Sequence, residues 1–278
     1  MPEADPLGED LVAADWVPPE IDVTRAHPAR MYDYFLGGKD NFPVDREAAE
    51  LALKSVPEAR VGARANRAFL GRAVRHLVEA GFTQFLDLGT GIPGPGNTGE
   101  VARAVNPETR IVYVDNDPSV AAHSRALLAG ADPALTAVVL ADIRDPRSIL
   151  DDETVRTVLD FEKPIAVLMV AVLHFIKDDE DPAGIVKAFL DAVPAGSRLA
   201  VTHITNDFEP ERVTRGARAY DRATAPIVLR SYAEISELLD GLDLVEPGLV
   251  HGPAWRPDGP IPPDSDQVWG YGGIGVKR

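Results

Sequence analysis

The sequence predicts an α/β fold: a seven-stranded, mostly parallel sheet with helices on both faces and a helical extension ahead of it. Three observations lead there. From Thr83 onward, short and nearly continuous apolar runs alternate with amphipathic segments, as in parallel strands buried on both faces. Val61, Ala65, Phe69, Ala73 and Leu77 recur at i, i+4 across residues 58–80, which marks a helix with one apolar face. The last two apolar runs are separated by the Pro-rich stretch 247–263, so they are expected to close the sheet as a hairpin with a long connection.

Taken in order, residues 1–20 are rich in Pro and acid and are expected to form a disordered tail. Residues 21–82 form a helical extension or lid: short helices broken by turns, then helix 58–80, which Gly81 ends. Residues 83–278 form the main domain. TQFLDLG is its first strand. NTGEVARAV is a helix capped by Asn97 or Thr98, and RIVYVDND is the second strand. A helix from Pro118 to about Leu128 follows, then strands ALTAVVLAD and PIAVLMVAVLHF. Helix 182–193 leads to strand SRLAVTHIT. Helix 231–240, strand 242–246 and the strand QVWGYGGIGV complete the order.

Composition narrows the function. The 278 residues are 45% hydrophobic and 26% charged, ordinary for a globular chain. The absence of cysteine excludes disulfides, thiolate metal sites and cysteine nucleophiles. A net charge of −16 weighs against a nucleic-acid partner, because phosphate contacts need a basic surface. Five arginines between Arg60 and Arg75 read as the wet face of a helix. The acidic N-terminus lacks the basic and apolar regions of a secretory signal, and no apolar run reaches bilayer length. A cytoplasmic protein without a membrane partner is expected. No interface stripe indicates an oligomeric state.

FLDLGTGIPGPGNTG contains a literal G-x-G-x-x-G at Gly89, Gly91 and Gly94. In a dinucleotide site the third glycine lies in the first helical turn. Pro95 disfavours helical geometry at Gly94, so the helix should begin near Asn97. Asp87, two residues before the first glycine, would repel a pyrophosphate. S-adenosylmethionine carries a sulfonium and an α-ammonium and no phosphate, so a carboxylate there favours it. Asp115 ends the second strand and can accept hydrogen bonds from a ribose diol, as NAD and S-adenosylmethionine both require. Asp142 ends the third strand and could accept from an adenine amino group, with Ile143 on the ring. It could equally cap a helix before Pro146.

The segments RMYDYFLGGKDNFPVDR, RANRAFLGRAVRHL, FLDLGTGIP, NTGEVA, VYVDNDP, ADIRDP, VLMVAVLHFI and WGYGGIGVKR resemble, in order, those of an actinobacterial S-adenosyl methyltransferase family formerly catalogued as a domain of unknown function. It belongs among the class I methyltransferases with a Rossmann-like fold. The GPG before Asn97 departs from that family's pattern. The resemblance implies that Asp87, Gly89 and Gly91 surround the methionine portion and that Asn97 shapes the loop. It places Asp115 on the ribose, Asn116 and Asp117 beside the adenosine, and Asp142 and Ile143 on the adenine. Val170 to His174 would flank the transferable methyl.

Methyl transfer is an in-line displacement that depends on alignment and exclusion of water. A base is needed where the acceptor starts protonated. His174, just past the fourth strand, is the candidate; its alternative role is to cap a backbone group. His203, inside the fifth strand, reads better as a satisfied core residue. No two histidines share metal-ligand spacing, and DDED at 178–181 reads as the acidic entry to a helix. In MYDYFLGGKDNF, Arg30, Tyr32, Asp33 and Gly38 are expected to line the cleft as the extension closes over the cofactor. Asn66 and Arg67 on the next helix could face it too. Asn206, Asp207, Arg212, Arg215 and Arg218 hint at a polar or anionic acceptor. The expected activity is methyl transfer from S-adenosylmethionine to a small-molecule acceptor. A ligand-binding sensor without catalysis and an NAD-dependent oxidoreductase remain as alternatives, and the lack of a G-x-S-x-G elbow argues against a serine hydrolase.

Overall fold

The computed structural model describes residues 21–128 and 130–278; the predicted N-terminal tail lies outside them. Three helices form the extension: α1 (Pro28–Leu36), α2 (Pro43–Ser55) and α3 (Ala59–Glu79). The strands are β1 (Gln84–Leu88), β2 (Arg110–Asp115), β3 (Thr136–Leu140), β4 (Ala166–Val170), β5 (Arg198–Ile204), β6 (Leu242–Leu244), β7 (Val250–His251) and β8 (Gly270–Lys277). Between them run α4 (Thr98–Val105), α5 (Pro118–Leu127), α6 (Pro146–Leu150), α7 (Glu153–Val158), α8 (Pro182–Ala192), α9 (Pro210–Ala217) and α10 (Tyr232–Glu237).

The sheet order is β3-β2-β1-β4-β5-β8-β6. The first five strands pair in parallel, and β8 runs antiparallel between β5 and β6. The seven expected strands and their closing hairpin are therefore present. The two-residue β7, inside the Pro-rich connection, adds an eighth by pairing with β8. Its brevity explains why no periodicity announced it.

One face of the sheet packs Leu86, Val112, Val167 and Val201 beneath Ile149, Val155, Ile185 and Phe189 of α6, α7 and α8. The other packs Phe85, Ile111, Leu168 and Ile274 against Phe69, Ala73 and Leu77 of α3 and against Trp255. Of the predicted i, i+4 stripe of α3, Phe69, Ala73 and Leu77 are buried here, whereas Val61 and Ala65 are only half-buried. A third cluster joins the extension to the chain after α9: Met31, Phe35, Ala49 and Ala63 meet Ala219, Tyr220 and Ala223.

Two local features shape the carboxyl edge of the sheet. Asn97 caps α4, its Oδ1 accepting from the Glu100 amide at 3.1 Å, so Gly94 stays in the loop as Pro95 requires. The fourth strand stops earlier than the apolar run PIAVLMVAVLHF suggests. Ala171 adopts φ +57° and its amide turns to the Thr202 hydroxyl at 2.9 Å. Residues 173–175 then form a 3-10 turn that carries His174. No helix among the described residues is long and apolar enough to cross a membrane.

Candidate active site

Reversal of strand order between β1 and β4 opens a crevice beyond the carboxyl ends of the strands, where ligands of open α/β sheets bind. A cavity of about 360 Å³ lies there. One end is walled by Asp87, Gly89, Gly91, Asp115, Asn116, Asp142, Ile143 and Val170, and the other runs beneath α1, α2, α3 and α9.

The glycine loop is pinned from below. Asp87 is buried, and its Oδ2 accepts from the hydroxyls of Thr98 at 2.7 Å and Thr90 at 3.1 Å. Burial raises its pKa above the usual range, against those hydroxyls and the nearby Arg67 charge. Gly89 has φ +70°, and a Cβ there would come within 2.5 Å of Val172. Gly91 has φ +67° with open space where a Cβ would stand, so its missing side chain leaves room in the cavity. The Gly91 amide donates to Asp115 Oδ2 at 2.9 Å, and the Asp117 amide donates to Oδ1 at 3.0 Å. Burial pushes Asp115 up to about 6 despite these bonds.

Asp142 is already engaged. Its Oδ1 accepts from the Arg144 backbone amide and Nε, both at 2.9 Å. Its Oδ2 accepts from Arg144 Nη2 at 2.5 Å and from Asn116 Nδ2 at 3.1 Å. A carboxylate offers about four acceptor directions, so the side chain is full. Burial would raise its pKa, but these donors outweigh burial and hold it at about 2.

His174 is 8% exposed, lines the cavity, and has its Nδ1 enclosed without a hydrogen-bond partner. Burial first, then the neighbouring His203 and Arg230, keeps it neutral well below the ordinary histidine range. His203 stands 5.4 Å from it, edge to face. Arg230 approaches His203 Nε2 at 3.0 Å, and His203 Nδ1 meets the Ile204 carbonyl at 2.6 Å. Arginine has no acceptor, so Arg230 donates, Nε2 accepts, and the proton sits on Nδ1. Burial keeps His203 neutral to about 4. The sequence reading of His203 as satisfied therefore fits its bonds, although its ring also borders the cavity.

The extension contributes differently from expectation. Tyr32 and Asn66 line the cavity, but their polar groups are spent on each other. Thr202 Oγ1 donates to Asn66 Oδ1 at 2.7 Å, Asn66 Nδ2 to Tyr32 Oη at 3.0 Å, and Tyr32 Oη to the Ala63 carbonyl at 2.9 Å. The chain ties β5 to α3 and α1.

Arg30, Asp33, Gly38, Asn97 and Asp117 are not on the cavity wall. Asp33 holds the turn after α1, accepting from the Asp40 amide at 3.0 Å and Asn41 Nδ2 at 2.7 Å. A Cβ on Gly38 would collide with that carboxylate. Arg30, 2% exposed, lies with its Nε 3.4 Å from Asp45 and 3.2 Å from Asp117. Asp45 also accepts from the His27 and Phe42 amides at 2.9 and 2.8 Å. The charges clustered in RMYDYFLGGKDNFPVDR therefore fold the extension and tether it to the β2–α5 turn. His27, which carried no sequence signal, lines the cavity beside Asp117 at 3.2 Å.

The basic residues of 205–230 also turn away. Arg212 donates to Glu58 Oε1 at 2.6 Å, whereas Val213, Gly216 and Ala217 form the cavity face of α9. Gly216 permits the approach to α2, since a Cβ would come within 2.5 Å of Val56. Phe175, Tyr220, Ile227 and Trp269 complete this apolar end. None was distinguishable in sequence from ordinary core. DDED divides its labour: Asp178 pairs with Arg230, Glu180 pairs with Arg144, and Asp181 caps α8.

Comparison with known proteins supplies the rest. A family model described as S-adenosyl methyltransferase matches residues 14–278. A solved structure of a DUF574 family protein from Streptomyces avermitilis shares 45% identity, covering 92% of this chain and 99% of its own, at TM-score 0.89. A protein from Thermobifida fusca assigned to the methyltransferases shares 43%, covering 95% and 100%, at TM-score 0.88. Magnesium protoporphyrin IX methyltransferase from Synechocystis, solved with bound S-adenosylhomocysteine, shares the fold at 10% identity, covering 89% of this chain and 93% of its own, at TM-score 0.52. No curated protein matches the chain.

Proposed function

Because the chain belongs to the S-adenosyl methyltransferase family, we propose that its cavity holds S-adenosylmethionine at the glycine-loop end and a small-molecule acceptor beneath the helical extension, in the cytoplasm. The protein is an S-adenosylmethionine-dependent methyltransferase; the cofactor, when bound, supplies an electrophilic methyl group on a sulfonium. The residues present fit that group. The observation that carries the placement is the pair of acidic strand ends, Asp87 and Asp115, facing one cavity across a glycine loop with room at Gly91.

Asp87, with Oδ2 bonded to two hydroxyls, offers its other oxygen to the ligand's positive end. Arg67, over the Tyr32 ring at 5.8 Å and close enough to Asp87 to lower its pKa, supplies the opposite charge for an α-carboxylate. Asp115 accepts from a ribose diol through the lone pairs that Gly91 and Asp117 leave free. Ile143 and Val170 pack on the nucleoside, while Gly89 lets the loop approach Val172. Asp142 positions Asn116 and Arg144 and would take an adenine amino group only by giving up one of its bonds. His174, neutral and in the wall, takes a proton from an acceptor that starts protonated.

Calorimetric titration with S-adenosylmethionine, S-adenosylhomocysteine and NAD tests the placement. The two S-adenosyl ligands should bind the wild type and lose at least about tenfold affinity in Arg67→Met, since a hydrogen bond to a charged group is worth about 1.5–3 kcal/mol. Binding of NAD alone would overturn the reading.

A further inference from the structure

The far end of the cavity identifies the kind of acceptor. Its wall is a run of rings: His174 lies 4.4 Å from Phe175, and Phe175 lies 5.9 Å from Tyr220, centroid to centroid. Trp269 and Val213 continue it. An anionic acceptor would lose its hydration here without a matching partner, and a cationic one would meet Glu58 already neutralised by Arg212. Arg212 is occupied by Glu58, at 2.6 Å, so it does not counter an anion. The second oxygen of Glu58 is buried without a hydrogen-bond partner, which repels an anion and accepts from a hydroxyl.

Resting on the cofactor placement above, we infer that the acceptor is a flat, uncharged aromatic alcohol, a phenol, whose ring packs along Phe175 and Tyr220 and whose hydroxyl meets the imidazole of His174. Aromatic walls favour offset or edge-on rings at 4.5–7 Å spacing. The hydroxyl gives its proton to the neutral imidazole. Its oxygen forms the new bond to the methyl carbon as the carbon–sulfur bond breaks, and that electron pair leaves with sulfur. One positive charge enters the cavity on the sulfonium and leaves as the proton, which the imidazole, neutral at rest, passes on to solvent.

The test uses protein saturated with S-adenosylhomocysteine, so that binding is read without turnover. Three phenols of increasing size (4-methylphenol, 2-naphthol and 7-hydroxyflavone) are compared by equilibrium dialysis with 4-methylbenzoate, 2-naphthoate and glycine. At least one phenol should bind about tenfold or more tightly than every carboxylate and than glycine. With S-adenosylmethionine that phenol should yield its methyl ether. His174→Gln should cut the rate by about a hundredfold or more while changing phenol affinity less than threefold.

Preferential binding of a carboxylate or glycine, or failure of all three phenols to bind the loaded protein, overturns the inference. So does an unchanged rate in His174→Gln. Failure of S-adenosylhomocysteine itself to bind would instead overturn the cofactor placement, and titration before any phenol is added shows which has failed.

Discussion

The Gly91 amide donates to Asp115 Oδ2 at 2.9 Å, so the glycine loop and the end of the second strand are one unit. Replacing Asp115 by Ala should remove the proposed ribose acceptor and release the loop together. Two bonds to a carboxylate are worth about 1.5–3 kcal/mol each. S-adenosylhomocysteine affinity should therefore fall by a factor of about ten or more, as read by calorimetry. Retention of wild-type affinity would remove Asp115 from the site.

The same burial makes binding depend on pH. Asp115 titrates at about 6 rather than 3.8 because it is desolvated. As the proposed acceptor for ribose hydroxyls it would act fully when charged, so affinity should be highest above pH 6 and weaken as pH falls through it. Stability follows the opposite sign. A carboxyl whose folded pKa is raised binds its proton more tightly when folded, so this group adds stability as pH falls from about 6 toward 3.8 and loses it above. Denaturation of the wild type and Asp115→Asn across this window should show the wild type gaining relative to the variant on acidification. A flat difference would contradict the shift.

Gly89 and Gly91 both have positive φ but should fail differently on substitution. Gly89→Ala drives a methyl within 2.5 Å of Val172, and overpacking costs about 1–3 kcal/mol beyond the backbone strain. Gly91→Ala meets nothing within 4 Å and should cost only the strain, about 1–2 kcal/mol, while its methyl intrudes on the ligand. Thermal unfolding should thus rank Gly89→Ala as the less stable. Titration should show that Gly91→Ala has lost cofactor affinity while still folded.

Arg30 tests the tether of the extension. Arg30→Leu leaves Asp45, which is fully buried, without its cationic neighbour. Breaking a buried pair from one side costs about 3–5 kcal/mol. Urea denaturation should show a loss of that order. A change under 1 kcal/mol would mean that the pair behaves as a surface contact.

The chain by itself determined the order of elements, the parallel core and the acidic strand ends. Those features rest on local periodicity and on residues a few positions apart: the stripe of α3, the apolar run of β1, and Pro95 holding Gly94 out of α4. Only tertiary structure decided which polar groups remain free for chemistry. Tyr32 and Asn66 are consumed by a chain reaching Thr202, 136 residues beyond Asn66. Arg30 and Asp33 fold the extension, and Arg212 turns to Glu58, 154 residues away. His203 received its tautomer from Arg230, and burial left His174 neutral with an unpartnered nitrogen. A hydrogen bond is spent once, and the partner that claims it across the fold leaves no mark on the neighbouring sequence.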